Sequence, residues 1–146
     1  AFILNSMVAA DILLTPIPPA QVDLHSTLKF ISRLPVLEKR IEATGANLNI
    51  EAHIGFMTKY QEKKKNNIEA RRHAKTIFNI MLNKPMPKSD AFEQTGESFD
   101  TVITKMPKHY DGSAESLKRA KVAAHDFAES FFETVNELRE TFIHEN

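Results

Sequence analysis

The sequence predicts an α/β fold, a parallel sheet with flanking helices, on three observations. First, Ile12–Ile17 is a short β-favouring run punctuated by Pro16, Pro18 and Pro19, and a helical pattern comes after it. Second, Leu48, Ile50, Ala52, Ile54 and Phe56 alternate with Asn49, Glu51, His53, Gly55 and Met57, the period of a strand. Third, a long helical stripe of apolar residues closes the chain. Strand, tight loop and helix is the succession by which α/β folds build parallel sheets, and their ligands gather at the carboxyl ends of the strands. The loop over residues 16–23 is therefore the first place to look for function, although a covered strand with a rigid exit accounts for the same residues.

The 146 residues suffice for one domain with a sizeable core. Apolar content of 42%, 26% charged residues and zero net charge describe a soluble globular chain. The absence of cysteine excludes disulfides and thiolate chemistry and fits a cytoplasmic protein. The apolar N-terminus lacks a basic flank and is interrupted by Asn5, Ser6 and Asp11, so neither a signal peptide nor a membrane span is expected. The chain opens at Ala1 inside a helix-like segment, which predicts the C-terminal part of a longer protein.

In chain order, Phe2, Ile3, Met7 and Ala10 are spaced for one or two helical turns. Ile12–Ile17 is expected to be covered on both faces, as in a parallel sheet, because the run is so apolar. Asp23 stands as an N-cap, and Leu24, Leu28 and Ile31 give a helical stripe that Pro35 kinks or restarts; Val36, Leu37 and Ile41 continue it until Gly45. Residues 50–57 form a strand that the alternation makes half-covered, adjacent and parallel to the first. Residues 59–66 are polar and basic, a solvated loop or helix start. Asn67 is expected to cap a helix whose Ile68, Ile77, Phe78, Met81 and Leu82 face inward. Pro85 and Pro87 limit residues 84–90 to a short strand or extended loop. Asp90 with Glu93 resembles a capping box opening a short helix that ends near Gly96. Residues 99–106 read as strand or irregular. Ser113 caps the longest element, where Leu117, Ala120, Ala124, Phe127, Phe131, Leu138 and Phe142 recur at helical spacing. Its aromatics fit a helix laid across a globular core better than a coiled-coil seam.

Catalytic patterns are missing. The six histidines show no zinc-helix spacing, and the four glycines form no phosphate loop. Asp23, His25 and Ser26 have the residue types of a triad, but triad members meet in space rather than in sequence. Charge is more informative. Lys59, Lys63, Lys64, Lys65, Arg71, Arg72 and Lys75 face only Glu62 and Glu69 in their stretch, and Lys105, Lys108, Lys118, Arg119 and Lys121 form a second group. From Asp126 onward acids dominate. Such cations can neutralise phosphates without reading sequence, or can be solvated faces.

Three stretches carry a resemblance. Asn5-Ser6-Met7-Val8-Ala9-Ala10-Asp11-Ile12-Leu13-Leu14-Thr15-Pro16-Ile17-Pro18-Pro19-Ala20, followed by Val22-Asp23-Leu24-His25-Ser26-Thr27-Leu28-Lys29, is one. Ile54-Gly55-Phe56-Met57-Thr58-Lys59 and Phe92-Glu93-Gln94-Thr95-Gly96-Glu97-Ser98-Phe99-Asp100-Thr101-Val102 are the others. The first resembles the segment after the second acidic phosphate-site motif of ParA-type plasmid partition ATPases; the other two resemble later segments of the large members. The resemblance implies that residues 1–146 are the C-terminal part of one parallel-sheet P-loop NTPase domain, with flanking helices and a long C-terminal helix. The phosphate loop and N-terminal regions lie outside the likeness, so no catalytic residue is assigned, no metal site is expected, and this stretch alone should neither bind ATP nor hydrolyse it.

For the parent protein the resemblance implies ATP and Mg as cofactors, a homodimer, non-specific DNA and a centromere-binding partition protein as partners, no membrane, and a bacterial, nucleoid-associated cytoplasmic location. Carried over by residue, the adenine side would be formed by Met57, Thr58 and Lys59 with Pro87, Lys88, Ser89 and Asp90. DNA contacts would come from Lys105, Lys108, Lys118, Arg119 and Lys121, and from Lys63, Lys64 and Lys65, with the Lys118 group placed away from the nucleotide. Related sequences can carry arginine where this chain has Gln94, so contact there would fall to neighbouring lysines. The second reading is a non-enzymatic protein-interaction module with a basic face.

Overall fold

The computed structural model describes residues 2–97 and 101–145. Its elements are α1 (Phe2–Val8), β1 (Ile12–Ile17), α2 (Gln21–Glu42), β2 (Ala52–Met57), α3 (Lys65–Ile77), β3 (Ile80–Met81), α4 (Asp90–Glu97), a 3₁₀ turn at Pro107–His109 and α5 (Ala114–Glu145). The strands form one parallel sheet in the order β1-β2-β3. The fold is α/β as expected, and β1 and β2 are neighbours. The chain divides into two compact units, Ala1–Phe56 with Glu62–Met81, and Met57–Gln61 with Leu82–Asn146.

In the first unit, Met7 of α1 and Leu34 and Ile41 of α2 are buried together, with Leu13, Ile31, Leu37 and Ile50 packed against them. The side chains of Phe2 and Ile3 lie outside those described. Asp23 is not the N-cap of α2. Ala20 occupies that position without a side-chain bond, and Asp23 sits in the first turn, where its carboxylate faces the positive end of the helix dipole. Nor does Pro35 restart the helix, which runs through it for 22 residues, anchored by buried Leu34 and Ile41. After α2, Gly45 takes φ 79°, and its N–H bonds the Glu42 carbonyl, ending the helix as expected.

The coverage expected for the two long strands is reversed. Thr15 and Ile17 of β1 are buried, but Leu14 and Pro16 are exposed. A continuous apolar run does not show that both faces are covered, since much of any protein surface is apolar. β2 has no exposed residue. His53, which the alternation turns outward, bonds the Thr15 hydroxyl at 2.8 Å and meets the Phe78 ring edge-on at 5.0 Å. Gly55 has no side chain to expose, and a Cβ there would fall 2.6 Å from Met81 Sδ and 2.8 Å from Phe78 Cγ.

The third helix also differs. Lys64 is its N-cap, and Asn67 is buried inside the first turn. Ile68 is exposed, whereas Ala70 and Ala74 face inward. The helix stops at Ile77, and Ile80–Met81 pairs with β2 through Ile54↔Ile80 and Gly55↔Met81. A short apolar run such as residues 77–82 suits helix or strand equally, and an available ladder partner decides between them.

In the second unit, Ala91 of α4 and Leu117 and Ala120 of α5 form a core with Val102 and Tyr110, joined by Phe92 and Ala124. Ser89, rather than Asp90, caps α4: its Oγ accepts from Ala91 N–H at 3.3 Å. Residues 101–104 are a turn, not a strand, tied by reciprocal bonds between the backbone N–H and hydroxyl groups of Thr101 and Thr104. Of the stretch read as strand or irregular, the described part is therefore irregular, and Phe99 and Asp100 lie outside the described residues. Ser113 caps α5 as the sequence predicts, its Oγ accepting from Ser116 N–H at 3.1 Å. Phe127, Phe131 and Leu138 of the stripe are only half-buried, and the Phe142 side chain is outside those described.

Candidate functional site

The second unit joins the two stretches to which the resemblance assigns an adenine site. Beyond β2 the backbone reverses sharply at Lys59, which holds φ 51°, the only positive value on a non-glycine residue among those described. Met86 N–H donates to the Met57 carbonyl at 2.8 Å, Tyr60 N–H to Met86 at 3.0 Å, and Lys88 N–H to Tyr60 at 3.1 Å. Tyr60 thus forms a one-residue parallel bridge with Pro87. The run between Pro85 and Pro87 is extended because proline disfavours helix there, so its carbonyls and N–H groups can pair with the loop. Met57 and Tyr60 are buried, while Lys59 and Lys88 are exposed.

Pro87, Lys88, Ser89 and Asp90 then line a hollow of about 360 Å³ whose other wall is Ser116, Arg119 and Ala120 of α5. Two cations and two hydroxyls around one hollow suit a ligand carrying negative charge, with Asp90 restricting where that charge can sit. Arg119 of the cationic helix thus shares a hollow with the candidate adenine stretch, whereas Lys118 and Lys121 do not line it. Their juxtaposition was invisible in the sequence because Lys88 and Arg119 are thirty-one positions apart.

The proposed DNA contacts fall into separate groups. Lys118 and Arg119 are exposed on α5, Lys121 is half-buried and Lys108 is exposed in the 3₁₀ turn. Lys105 is different: only 6% of it is exposed, so it is withdrawn from any surface that a duplex could meet. It directly follows the 101–104 turn, its N–H bonding the Thr101 carbonyl at 2.9 Å. Lys63, Lys64 and Lys65 are exposed in the first unit, at the start of α3. That helix has no acid in its first turn, so the three ammonium groups stand against the positive end of its dipole.

Gln94, expected to leave DNA contact to its neighbours, instead grips the backbone at Asp111. Its Nε2 donates to the Asp111 carbonyl at 2.8 Å, and Asp111 N–H donates to its Oε1 at 3.2 Å. No sequence signal announces such a pair beyond the Asp-Gly turn itself. Among the described residues no group of three His, Asp or Glu side chains is placed to hold a metal ion, and no helix is long and apolar enough to cross a membrane.

A small parallel sheet of three strands with helical connections defines an α/β chain. Its particular relationship is to plasmid partition protein A of Escherichia coli, with which it is 44% identical over 140 residues, 95% of this chain and 35% of the relative. A solved partition protein superposes with a TM-score of 0.71 at 31% identity, over 94% of this chain and 32% of that one. No family model matches the chain. The ParA-type resemblance is thus shown along nearly all of the chain, which spans about a third of the length of these relatives.

Proposed function

We propose that this chain takes part in plasmid partition, as the C-terminal part of a P-loop ATPase that binds DNA without reading its sequence. The observation that carries the proposal is the 44% identity to plasmid partition protein A over 95% of the chain. In this reading the parent protein dimerises on ATP and Mg and acts with a centromere-binding partner in the bacterial cytoplasm. Met57, Thr58 and Lys59, paired to the run ending in Pro87, Lys88, Ser89 and Asp90, form the adenine side of the nucleotide site, mainly through backbone and packing.

Lys118, Arg119 and Lys121, with Lys108, meet DNA phosphates. Leu117 and Ala120 hold one side of α5 in the core, so Lys118 and Arg119 beside them stand in water where a duplex can reach them, and half-buried Lys121 reaches it with part of its side chain. Lys63, Lys64 and Lys65 supply a second patch, where a phosphate would offset the unfavourable charge at the start of α3. Dimerisation doubles both patches and raises avidity when both copies reach one duplex.

The test is binding of the full-length, ATP-bound protein to random-sequence duplexes. Lys118→Ala with Arg119→Ala and Lys121→Ala should weaken binding to every duplex alike. Because Arg119 lines the hollow, ATP affinity is measured on Lys118→Ala with Lys121→Ala, where it should be unchanged. Full DNA affinity in the triple variant and in its Lys63, Lys64 and Lys65 counterpart would remove the DNA reading.

A further inference from the structure

We infer that Gln94 is a positioning residue for the cationic start of α5, acting on DNA through Lys108, Lys118 and Arg119 rather than by touching it. The inference rests on the reading of that surface as the DNA-binding one. Its basis is the paired geometry at Asp111. The carboxamide of Gln94, on α4, gives one N–H to the Asp111 carbonyl and takes the Asp111 N–H on its oxygen, at 2.8 and 3.2 Å. Both polar groups of one backbone residue are thereby fixed by one side chain seventeen positions away.

Beyond Asp111 the chain has little freedom. Gly112 passes so close to Tyr110 that a Cβ would lie 2.6 Å from the ring. Tyr110 is 8% exposed, and its hydroxyl bonds Ser116 at 3.2 Å. Ser113 then caps α5, whose Leu117 and Ala120 enter the core beside Ala91 of α4. Asp111 is therefore the point at which α4 sets where α5 begins. Lys108 lies three residues before it, and Lys118 and Arg119 lie within the first two turns after it.

The core residues hold the two helices together without help from Gln94. Its bonds are exposed to solvent, which can replace them, so losing them loosens the turn more than it unfolds the protein. Phosphate contacts depend on where each cation is held relative to the others, and a loosened turn lets the cations on its two sides drift apart.

The experiment uses full-length, ATP-bound protein and random-sequence DNA. Gln94→Ala and Gln94→Met both remove the paired bonds, and the second keeps the packing of the stem should the first fail to fold. Each is made in the natural background and with Lys108→Ala, Lys118→Ala and Arg119→Ala together, at an ATP concentration shown to saturate each variant, because Arg119 also lines the hollow beside Lys88. The expected result is a loss of affinity of roughly three- to tenfold in the natural background, none in the background lacking the three cations, and faster hydrogen exchange at the Asp111 amide. An equal loss in both backgrounds would show that Gln94 meets DNA itself, and unchanged affinity despite faster exchange would show that its bonds are purely structural; either overturns the inference. If removing the three cations alone leaves affinity intact, the surface reading fails first, and this is visible before any Gln94 variant is measured.

Discussion

Lys59 keeps a backbone conformation that side chains disfavour, at φ 51°. Left-handed geometry costs a residue with a Cβ about 1 kcal/mol or more, and such strain persists where the surroundings impose it, often beside functional sites. Here the ladder from Met57 to Lys88 imposes it. Lys59→Gly should therefore raise the thermal midpoint of the protein, by the equivalent of about 0.5–1 kcal/mol after the added freedom of glycine in the unfolded chain is subtracted. Lys59→Ala should give no such gain, and equal midpoints for the two variants would refute the strain. His53 is a second case. Desolvation lowers its pKa below the usual 6.5, so in the folded protein it resists protonation. The unfolded chain then binds the proton more readily, and stability is full above about pH 6.5 and falls as the pH drops towards the folded-state value. A thermal melt series across that range should show this acid-side loss shrink in His53→Gln. None of these features was legible in the sequence. A lysine in a basic stretch carries no sign of a positive φ, and His53 looked solvent-facing until Thr15 and Phe78 were seen to close around it.

Elements were more legible where local chemistry alone fixed them. Ile12–Ile17, the Ser113 cap and the approximate end of α4 come from proline punctuation, a hydroxyl at a helix start and a run of turn residues. Misreadings came where tertiary partners choose between equal options. The run after Ile77 became a strand because Ile54 and Gly55 offered a ladder. Of the two outcomes open at Pro35, a kink or a restart, the restart is excluded, since α2 runs through it with Leu34 and Ile41 buried on either side. Pro35 itself is exposed and provides no N–H for the bond to residue 31. Pro35→Ala should restore that bond and stabilise α2, by about 1–3 kcal/mol. Denaturant midpoints of the two proteins compare them directly, and a lower midpoint for alanine would mean that proline's stiffness in the unfolded chain outweighs the missing bond.

At the scale of the whole molecule, the sequence disclosed a parallel α/β chain and a likeness to partition proteins, because hydrophobic patterning and three resembling stretches are read without coordinates. It could not disclose that Lys88 and Arg119 share a hollow, that Lys105 is buried, or that Gln94 sets the start of α5, since each depends on how α4 and α5 pack. The same packing now separates exposed cations from secluded ones, which a formal net charge of zero conceals. The central claim is that the exposed cations of α5 bind DNA by neutralising phosphates. It is tested most directly by the salt dependence of affinity for random-sequence duplex, measured on the ATP-bound, full-length protein. Each phosphate neutralised contributes about 0.9 to the slope of log affinity against log salt. Lys118→Ala with Arg119→Ala and Lys121→Ala should flatten that slope by about 2–3 while weakening binding. An unchanged slope, in this variant and in the one lacking Lys63, Lys64 and Lys65, would contradict the account.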